Sequence, residues 1–278
     1  MSRRKTALLP AFPAVLLLAL AFVAPTLYIL AHTLLHDGTA NYVKFFSDPF
    51  YVRVLLNTAQ LALTVTFFTL VIGYPTAYFI ARTKSRHKDV FLILTIFPFL
   101  VSAIVRAYGW QVLLGDTGLL NQILLEIGLA ARPLKIVYTR LGVTIGMVHL
   151  LLPYMILSIA AVLQTIPPDL ESAAESLGAN RGAVWRRIII PLSLPGVITG
   201  GILVFAMGMT AFITPQLLGG AWVKLMSTMV YQEVSVNFNW PMASAISFIL
   251  LGAILVFLIM MNLATSKAMG RLGGGRSA

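Results

Sequence analysis

Apolar residues in this chain of 278 residues are concentrated in six long stretches that short polar segments separate. Each stretch is about 20 residues or longer, which is enough for an α-helix to cross a hydrocarbon core of about 30 Å. Within them, apolar and polar residues do not alternate as they would in the strands of a membrane barrel. Because backbone groups in lipid must be hydrogen-bonded within the protein, the pattern predicts an all-α, polytopic membrane bundle with six transmembrane helices. The predicted spans lie near residues 8–31, 56–81, 90–110, 141–166, 193–214 and 242–264.

The first apolar stretch has two interpretations. The basic residues Arg3, Arg4 and Lys5 precede it, and Ala19-Leu20-Ala21 has the small residues of a signal-peptide cleavage site. The uncharged run continues to Ala31, however, and a secretory signal core is only about 7–15 residues long. The length therefore favours a first membrane helix that is retained.

The composition and the placement of charge agree with a membrane protein. Charged residues make up 10% of the chain, whereas soluble domains carry about 25%. The formal net charge is +11. If the N-terminus is cytoplasmic, most of the 20 basic residues fall in segments on the cytoplasmic side, which is the positive-inside pattern. This pattern predicts that both termini are cytoplasmic, and it disfavours nucleic acid as a partner. The inner basic residues are Arg3, Arg4, Lys5, Arg82, Lys84, Arg86, Lys88, Arg181, Arg186, Arg187, Lys267, Arg271 and Arg276.

Residues that carry chemistry are sparse. The chain has no cysteine, which excludes disulfides and thiolate ligands. It contains no carboxylate pair, no Ser/His/Asp arrangement, no H-E-x-x-H helix and no G-x-x-x-x-G-K-[ST] phosphate loop. The sequence therefore predicts a protein that is not an enzyme and that needs no cofactor and no metal ion.

One polar segment with a helical pattern separates the fourth and fifth apolar stretches. Pro167 and Pro168 suit the end of one helix or the first turn of the next. Asp169 and Glu171 follow, where a helix dipole favours negative charge, and Gly178 is a typical residue to end a helix. A helix of about two or three turns is too short to be stable alone in water. We therefore expect this segment to be a docking surface for another subunit.

The rest of the segment extends this prediction. Ala173, Ala174 and Leu177 form an apolar edge of mostly small residues, which suits insertion into a cleft of a partner. After Gly178, residues 181–190 predict a second helix, basic and then apolar, that leads to Pro191 and the next span.

The polar segment resembles the cytoplasmic motif of binding-protein-dependent ABC importer permeases. That motif is written E-A-A-x-x-x-G, followed by nine residues and I-x-L-P. Ala173, Ala174, Gly178, Ile188 and Pro191 fall on its spacing, and Ile190 stands in place of the leucine. Ser172 occupies the position of the usual glutamate, with Glu171 one residue earlier.

Further motifs resemble the spermidine/putrescine branch of these permeases. That branch also serves other small organic cations, opines and phosphonates, so the resemblance leaves the solute open among them. The motifs are Asn57-Thr58, Gly73-Tyr74-Pro75-Thr76-Ala77-Tyr78, Arg106-Ala107-Tyr108-Gly109-Trp110, Gly118-Leu119-Leu120-Asn121, Pro191-Leu192-Ser193-Leu194-Pro195-Gly196 and Thr214-Pro215-Gln216-Leu217-Leu218-Gly219-Gly220.

The resemblance implies the transmembrane domain of a type I ABC importer in a bacterial inner membrane. Two permease subunits would pair with two ATP-hydrolysing subunits, and an extracytoplasmic binding protein would deliver the solute. Residues 1–7 would be a cytoplasmic N-terminus, residues 8–266 the permease domain with a coupling loop at 167–190, and residues 267–278 a disordered cytoplasmic tail. The resemblance assigns contact with the ATPase to Glu171, Ser172, Ala173, Ala174, Leu177, Gly178, Ala179, Ile188 and Pro191.

Residues for the translocation pathway are less sharply indicated. Arg106 is a charge at the edge of a span, where it either marks a pathway or extends to the interface beside aromatic residues. Prolines and glycines within spans either bend helices around a pathway or belong to ordinary packing. His149 is either a hydrogen-bonded packing residue or part of a proton relay. The pathway candidates are Tyr74, Pro75, Arg106, Tyr108 and Pro153.

Two other classes of function compete with an ATP-driven permease. A secondary transporter or channel would be expected to carry acidic residues within its spans, and none of the nine acidic residues clearly lies there. An intramembrane enzyme would need a catalytic constellation, which the sequence lacks.

Overall fold

The computed structural model describes residues 12–36, 39–83 and 88–273, and every regular element in these ranges is helical. The predicted all-α class is therefore confirmed. The helices, numbered along the chain, are α1 (Phe12–Leu18, a π-helical turn Ala19–Val23, then Ala24–His36), α2 (Ala40–Ser47), α3 (Pro49–Arg82), α4 (Lys88–Leu100), α5 (Ala103–Leu114), α6 (Leu119–Glu126), α7 (Arg140–Thr165), α8 (Asp169–Ser176), α9 (Arg181–Val184, a π-helical turn Trp185–Ile189, then Ile190–Thr210), α10 (Ile213–Gly219), α11 (Met226–Ser235) and α12 (Trp240–Gly273).

The helix α7 is the centre of the bundle and packs between α3 and α9. Its apolar window is 44% buried, a larger share than in α3, α9 or α12. Met147 and Met155 of α7 are fully buried in one hydrophobic cluster with Val65 of α3 and Val204 of α9. Because lipid tails are as apolar as these side chains, close packing rather than exclusion of water holds the three helices together.

Glycines permit the close approach of α9 to α7. A Cβ atom built on Gly196 would lie 2.9 Å from the carbonyl oxygen of Ser158, and one built on Gly200 would lie 2.9 Å from Sδ of Met155. Both distances are shorter than a normal contact, so these positions hold glycine for helix packing. The structure thus supports the packing interpretation of the glycines in this span.

The predicted span at residues 90–110 is not one straight helix. It consists of α4 and α5, which are separated by Val101 and Ser102, and the segments Lys88–Leu100 and Ala103–Glu126 are bent by 100° relative to each other. Ser102 has an extended backbone, with ψ at 137°. The carbonyl of Pro98, in the last turn of α4, accepts a hydrogen bond from Nη1 of Arg106. The break leaves terminal carbonyls without helical partners, and Arg106 supplies a donor to one of them.

Other spans match the prediction more closely. Within the described ranges, four helices are long and apolar enough to cross a membrane: α3, α7, α9, and α12 as far as Leu263. The bent pair of segments Lys88–Leu100 and Ala103–Glu126 is a fifth candidate. The sixth, α1, has a shorter apolar stretch at Val15–Ala31.

The two ends of the chain were expected to lie outside the bundle. Residues 1–7 lie outside the described residues, as do residues 274–278. The tail expected to be disordered from 267 is helical as far as Gly273, because α12 continues without a break.

Candidate functional site

The polar segment between the fourth and fifth spans contains the predicted short helix, α8. It begins after Pro168 and ends at Ser176. The N–H of Gly178 donates to the carbonyl of Glu175, and the N–H of Ala179 donates to the carbonyl of Ala174, each at 3.0 Å. These two bonds form a Schellman motif, which requires a left-handed residue, and Gly178 has φ at +86°. The predicted role of Gly178 in ending the helix is confirmed.

The second predicted helix is continuous with the following span. The Asn180 side chain caps the start of α9 by accepting from the N–H of Ala183 at 2.8 Å. A π-helical turn at Trp185–Ile189 then precedes Pro191. Proline has no N–H and crowds the carbonyl four residues earlier, and the wider turn just before it removes that conflict. The motif residues Ile188 and Pro191 therefore belong to one long helix. Both are half-buried.

The residues of α8 divide between two faces. Leu170 and Ala173 are exposed, as is Leu177, which directly follows the end of α8 and has 89% of its surface free. Ala174 lies on the other side, where it packs against the hydrophobic cluster of the bundle. Of the two alanines of the motif, only Ala173 is on the exposed side, because successive residues of a helix are about 100° apart. Ser172 is also exposed.

Glu171 is bound to the bundle by two hydrogen bonds. Nε of Arg82 donates to its Oε1 at 2.6 Å, and the hydroxyl of Tyr78 donates to its Oε2 at 2.7 Å. The side chains of Arg82 and Glu171 are only 14% and 19% exposed. Screening by water is weaker for such a pair than for an ion pair on an open surface. The carboxylate one residue before the usual motif position thus faces its own chain.

Arg82 also joins α3 to the end of α7. Its Nη1 donates to the carbonyls of Leu163 and Ile166, at 3.2 and 2.9 Å. These carbonyls lie at the C-terminal end of α7, where few backbone donors remain for the last carbonyls. From sequence, Arg82 was counted only as an orienting charge, and Tyr78 only as part of a motif. The signal that was available is their spacing of four residues, which places both on one face of α3.

Two more contacts continue the same stripe of α3. The ring of Tyr78 lies against that of Trp185 in α9, with 4.6 Å between centroids. One turn earlier, the hydroxyls of Tyr74 and Ser193 are hydrogen-bonded at 2.7 Å. The stripe Tyr74, Tyr78 and Arg82 therefore connects α3 to α7, α8 and α9.

The pathway candidates do not form one cluster in this structure. Tyr74 belongs to the stripe just described, near the α8 end of the bundle. Pro75 is exposed and Pro153 is buried, and both helices continue through them. Tyr108 is 53% exposed and lines a cavity of about 290 Å³ together with Ile104, Phe212, Ile213, Gln216, Leu217 and Tyr231. Arg106 is half-buried at the break between α4 and α5.

His149 has the partner expected of a packing residue. Nε1 of Trp110 donates to its Nδ1 at 3.1 Å, and the two rings are in edge contact. These contacts agree with the interpretation of His149 as a hydrogen-bonded packing histidine.

The end of the bundle opposite α8 is organised by side chains to which the sequence assigned no role, although Asn121 belongs to one of the sequence motifs. Asn121 is completely buried; its Nδ2 donates to the carbonyls of Gly115 and Leu134, and its Oδ1 accepts from the N–H of Leu134. Tyr138 has φ at +62°, which is rare for an aromatic residue, and its hydroxyl accepts from Gln111 at 2.8 Å. A cavity of about 570 Å³ next to Tyr138 is also lined by Gln111, Gly115, Asp116, Lys135, Val137, Thr139 and Trp222.

Comparison with known proteins agrees with this architecture. Residues 70–268 match the family described as binding-protein-dependent transport system inner membrane component. The spermidine/putrescine transport system permease protein of Haemophilus influenzae is 35% identical over 257 residues, 89% of each chain. That of Escherichia coli is 34% identical over 239 residues, 83% of this chain and 87% of its own. A bacterial alginate ABC transporter, solved with a periplasmic protein bound to an alginate pentasaccharide, has the same fold, with a TM-score of 0.78 at 18% identity over 96% of both chains.

Proposed function

This chain belongs to the family of inner membrane components of binding-protein-dependent transport systems, and on that premise we propose that it carries polyamine-like solutes across the membrane. The similarity to two spermidine/putrescine permeases over most of the chain supports this solute class. The cavity at the end opposite α8 is lined by an acidic side chain, Asp116, by two aromatic ones, Tyr138 and Trp222, and by one basic side chain, Lys135. Aromatic rings and carboxylates suit organic ammonium groups. Opines and phosphonates are the competing solutes.

The solute class is tested by reconstitution. The permease, with its partner permease, ATPase and binding protein, is placed in proteoliposomes, and uptake of labelled spermidine and putrescine is measured. We expect uptake that requires ATP and stops when either the ATPase or the binding protein is omitted. An excess of an opine or a phosphonate should leave this uptake unchanged. Uptake by this chain alone, driven by an ion gradient, would overturn the proposal.

We place α8 on the cytoplasmic side, together with both termini. The basic residues at this end support that orientation, because positive charge is retained on the cytoplasmic side. Arg181, Arg186 and Arg187 are exposed there, and Arg82 closes the end of α3. The separate ATPase would then meet α8 from the cytoplasm, while the binding protein would meet the opposite end.

The observation that carries the ATPase contact is the free apolar face of α8. Leu170 and Leu177 are 43% and 89% exposed on a helix whose other face is fastened to the bundle. Ala173 lies between them and is exposed. A groove of the ATPase that covers Leu170, Ala173 and Leu177 would bury this face. The small side chain of Ala173 lets the two backbones approach closely.

Replacing Ala173 with tryptophan tests this contact. The added bulk would hold the surfaces apart at a cost of about 1–3 kcal/mol, so co-purification of the ATPase should fall about tenfold. The thermal stability of the permease without the ATPase should not change, since Ala173 is exposed. The matched variant is Ala174→Trp, which should lower that stability because Ala174 packs inside the chain. If the ATPase co-purifies normally with Ala173→Trp, the proposal that it docks on this face is wrong.

A further inference from the structure

We propose that Glu171, Arg82 and Tyr78 form a strut that transmits movement of α8 to the membrane helices. The inference rests on the proposed docking of an ATPase on the exposed face of α8. In this arrangement Glu171 is the point of attachment on α8. Arg82 and Tyr78 are positioning residues that connect it to the bundle.

The attachment depends on few groups. No residue of α8 is fully buried, and the short segments 166–168 and 177–180, in which Ile166 and Ala179 pack against the core cluster, connect it to α7 and α9. Ala174 packs against the bundle with a single methyl group. The carboxylate of Glu171 therefore makes the principal directional contacts that hold the helix in place.

Arg82 divides the connection between two helices. Nε of its guanidinium binds Glu171, and Nη1 binds the carbonyls of Leu163 and Ile166 at the end of α7. The guanidinium is planar and rigid, so a displacement of the carboxylate displaces the ends of α3 and α7 together. A lysine at this position would keep the charge but would have only one nitrogen, so it could not hold Glu171 and the carbonyls of α7 in the same fixed geometry.

Tyr78 extends the connection to a third helix. Its hydroxyl binds the second oxygen of Glu171, and its ring lies against Trp185 in α9. The Tyr74–Ser193 hydrogen bond joins α3 and α9 again one turn further into the bundle. A single carboxylate is thus connected to the ends of the three helices that form the core.

The position of the Glu171 carboxylate indicates that it attaches α8 to the bundle and does not contact the ATPase. At the usual motif position the side chain would point where Ser172 points, and Ser172 is exposed. One residue earlier is a rotation of about 100° on the helix, and this turns the carboxylate toward the chain's own helices. In this permease, α8 therefore uses the Glu171 carboxylate for attachment inward, and its apolar face remains for docking outward.

The test measures solute taken up per ATP hydrolysed in the complete reconstituted transporter, with spermidine as the probe. We expect this ratio to fall about tenfold for Glu171→Gln and by a smaller factor for Tyr78→Phe, because the first change removes the carboxylate charge from both hydrogen bonds and the second removes only one of the two bonds. ATPase co-purification and ATP hydrolysis should stay near wild type. The matched control is Glu175→Gln, which makes the same change at an exposed site of the same helix.

Three comparisons decide the outcome. Tyr78→Phe should have no effect beyond that of Glu171→Ala when the two are combined, because the hydroxyl acts through the carboxylate. Arg82→Lys should lower the uptake per ATP hydrolysed, although it preserves the charge. A wild-type ratio in both Glu171→Gln and Tyr78→Phe, with the ATPase still bound, would overturn the strut. If Glu171→Gln does not fold, Tyr78→Phe alone decides, since it keeps the ring that packs on Trp185. Failure of the ATPase to bind the wild-type chain would instead overturn the proposed docking.

Discussion

Solute uptake is expected to fall more than about tenfold when Gly178 is replaced by valine, although the ATPase still binds. Gly178 has φ at +86°, and a left-handed conformation costs an L-residue about 1–2 kcal/mol, more when the side chain is β-branched. No atom lies within 4 Å of a Cβ built at this position, so the effect arises from the backbone and not from a clash. The Schellman motif would open, and the connection from α8 to α9 would lose its fixed geometry. The measurement is uptake per ATP hydrolysed in proteoliposomes.

Asparagine at position 178 is the matched control. Asparagine adopts the left-handed conformation more readily than other non-glycine residues, so Gly178→Asn should retain most of the coupling. If Gly178→Asn and Gly178→Val were equally impaired, the added side chain itself would be responsible and the backbone argument would be wrong.

The second large effect is expected at the opposite end of the bundle, from Asn121→Ala. This change leaves the N–H of Leu134 and the carbonyls of Gly115 and Leu134 without their buried partner. The carbonyl of Gly115 keeps the N–H of Gly118, and a buried group that is left without any hydrogen bond costs about 1–3 kcal/mol. We therefore expect loss of order in segment 115–134 and loss of uptake, with ATPase association intact. Amide hydrogen exchange across this segment is the direct measurement.

The control for Asn121→Ala is the neighbouring amide. Gln122 is exposed, and its side chain makes one hydrogen bond, to the carbonyl of Thr117. Gln122→Ala should change exchange and uptake little, since water can replace the lost partner. Equal exchange in the two variants would show that Asn121 does not organise the segment.

The sequence predicted the features that depend on local pattern. The apolar stretches predict the helices, and the pair of prolines and Gly178 predicts both ends of α8, because each effect acts within a few residues. The break at Ser102 was missed because the residues on both sides of it are apolar. Hydropathy reports where a chain is buried in lipid, and it does not report whether the helix is straight.

The strut was missed for a different reason. Arg82 and Glu171 are 89 residues apart in the chain, and a single sequence carries no signal that pairs them. The faces of α8 are a mixed case. Helical periodicity places Ala173 and Ala174 on different sides of the helix. Only the contacts of Glu171 reveal which of these two alanines packs against the bundle.

The continuity of α9 has a mechanical consequence. The helix extends over 30 residues from Arg181 to Thr210, which is about 45 Å at a rise of 1.5 Å per residue. The π-helical turn before Pro191 keeps it in one piece where a proline would otherwise bend it. It can therefore act as a lever: a tilt of about 5° at its first turn, beside α8, shifts its far end by about 4 Å over that length. That far end leads directly into α10 and the cavity lined by Tyr108, so a small rotation at one membrane surface is enough to alter an opening near the other.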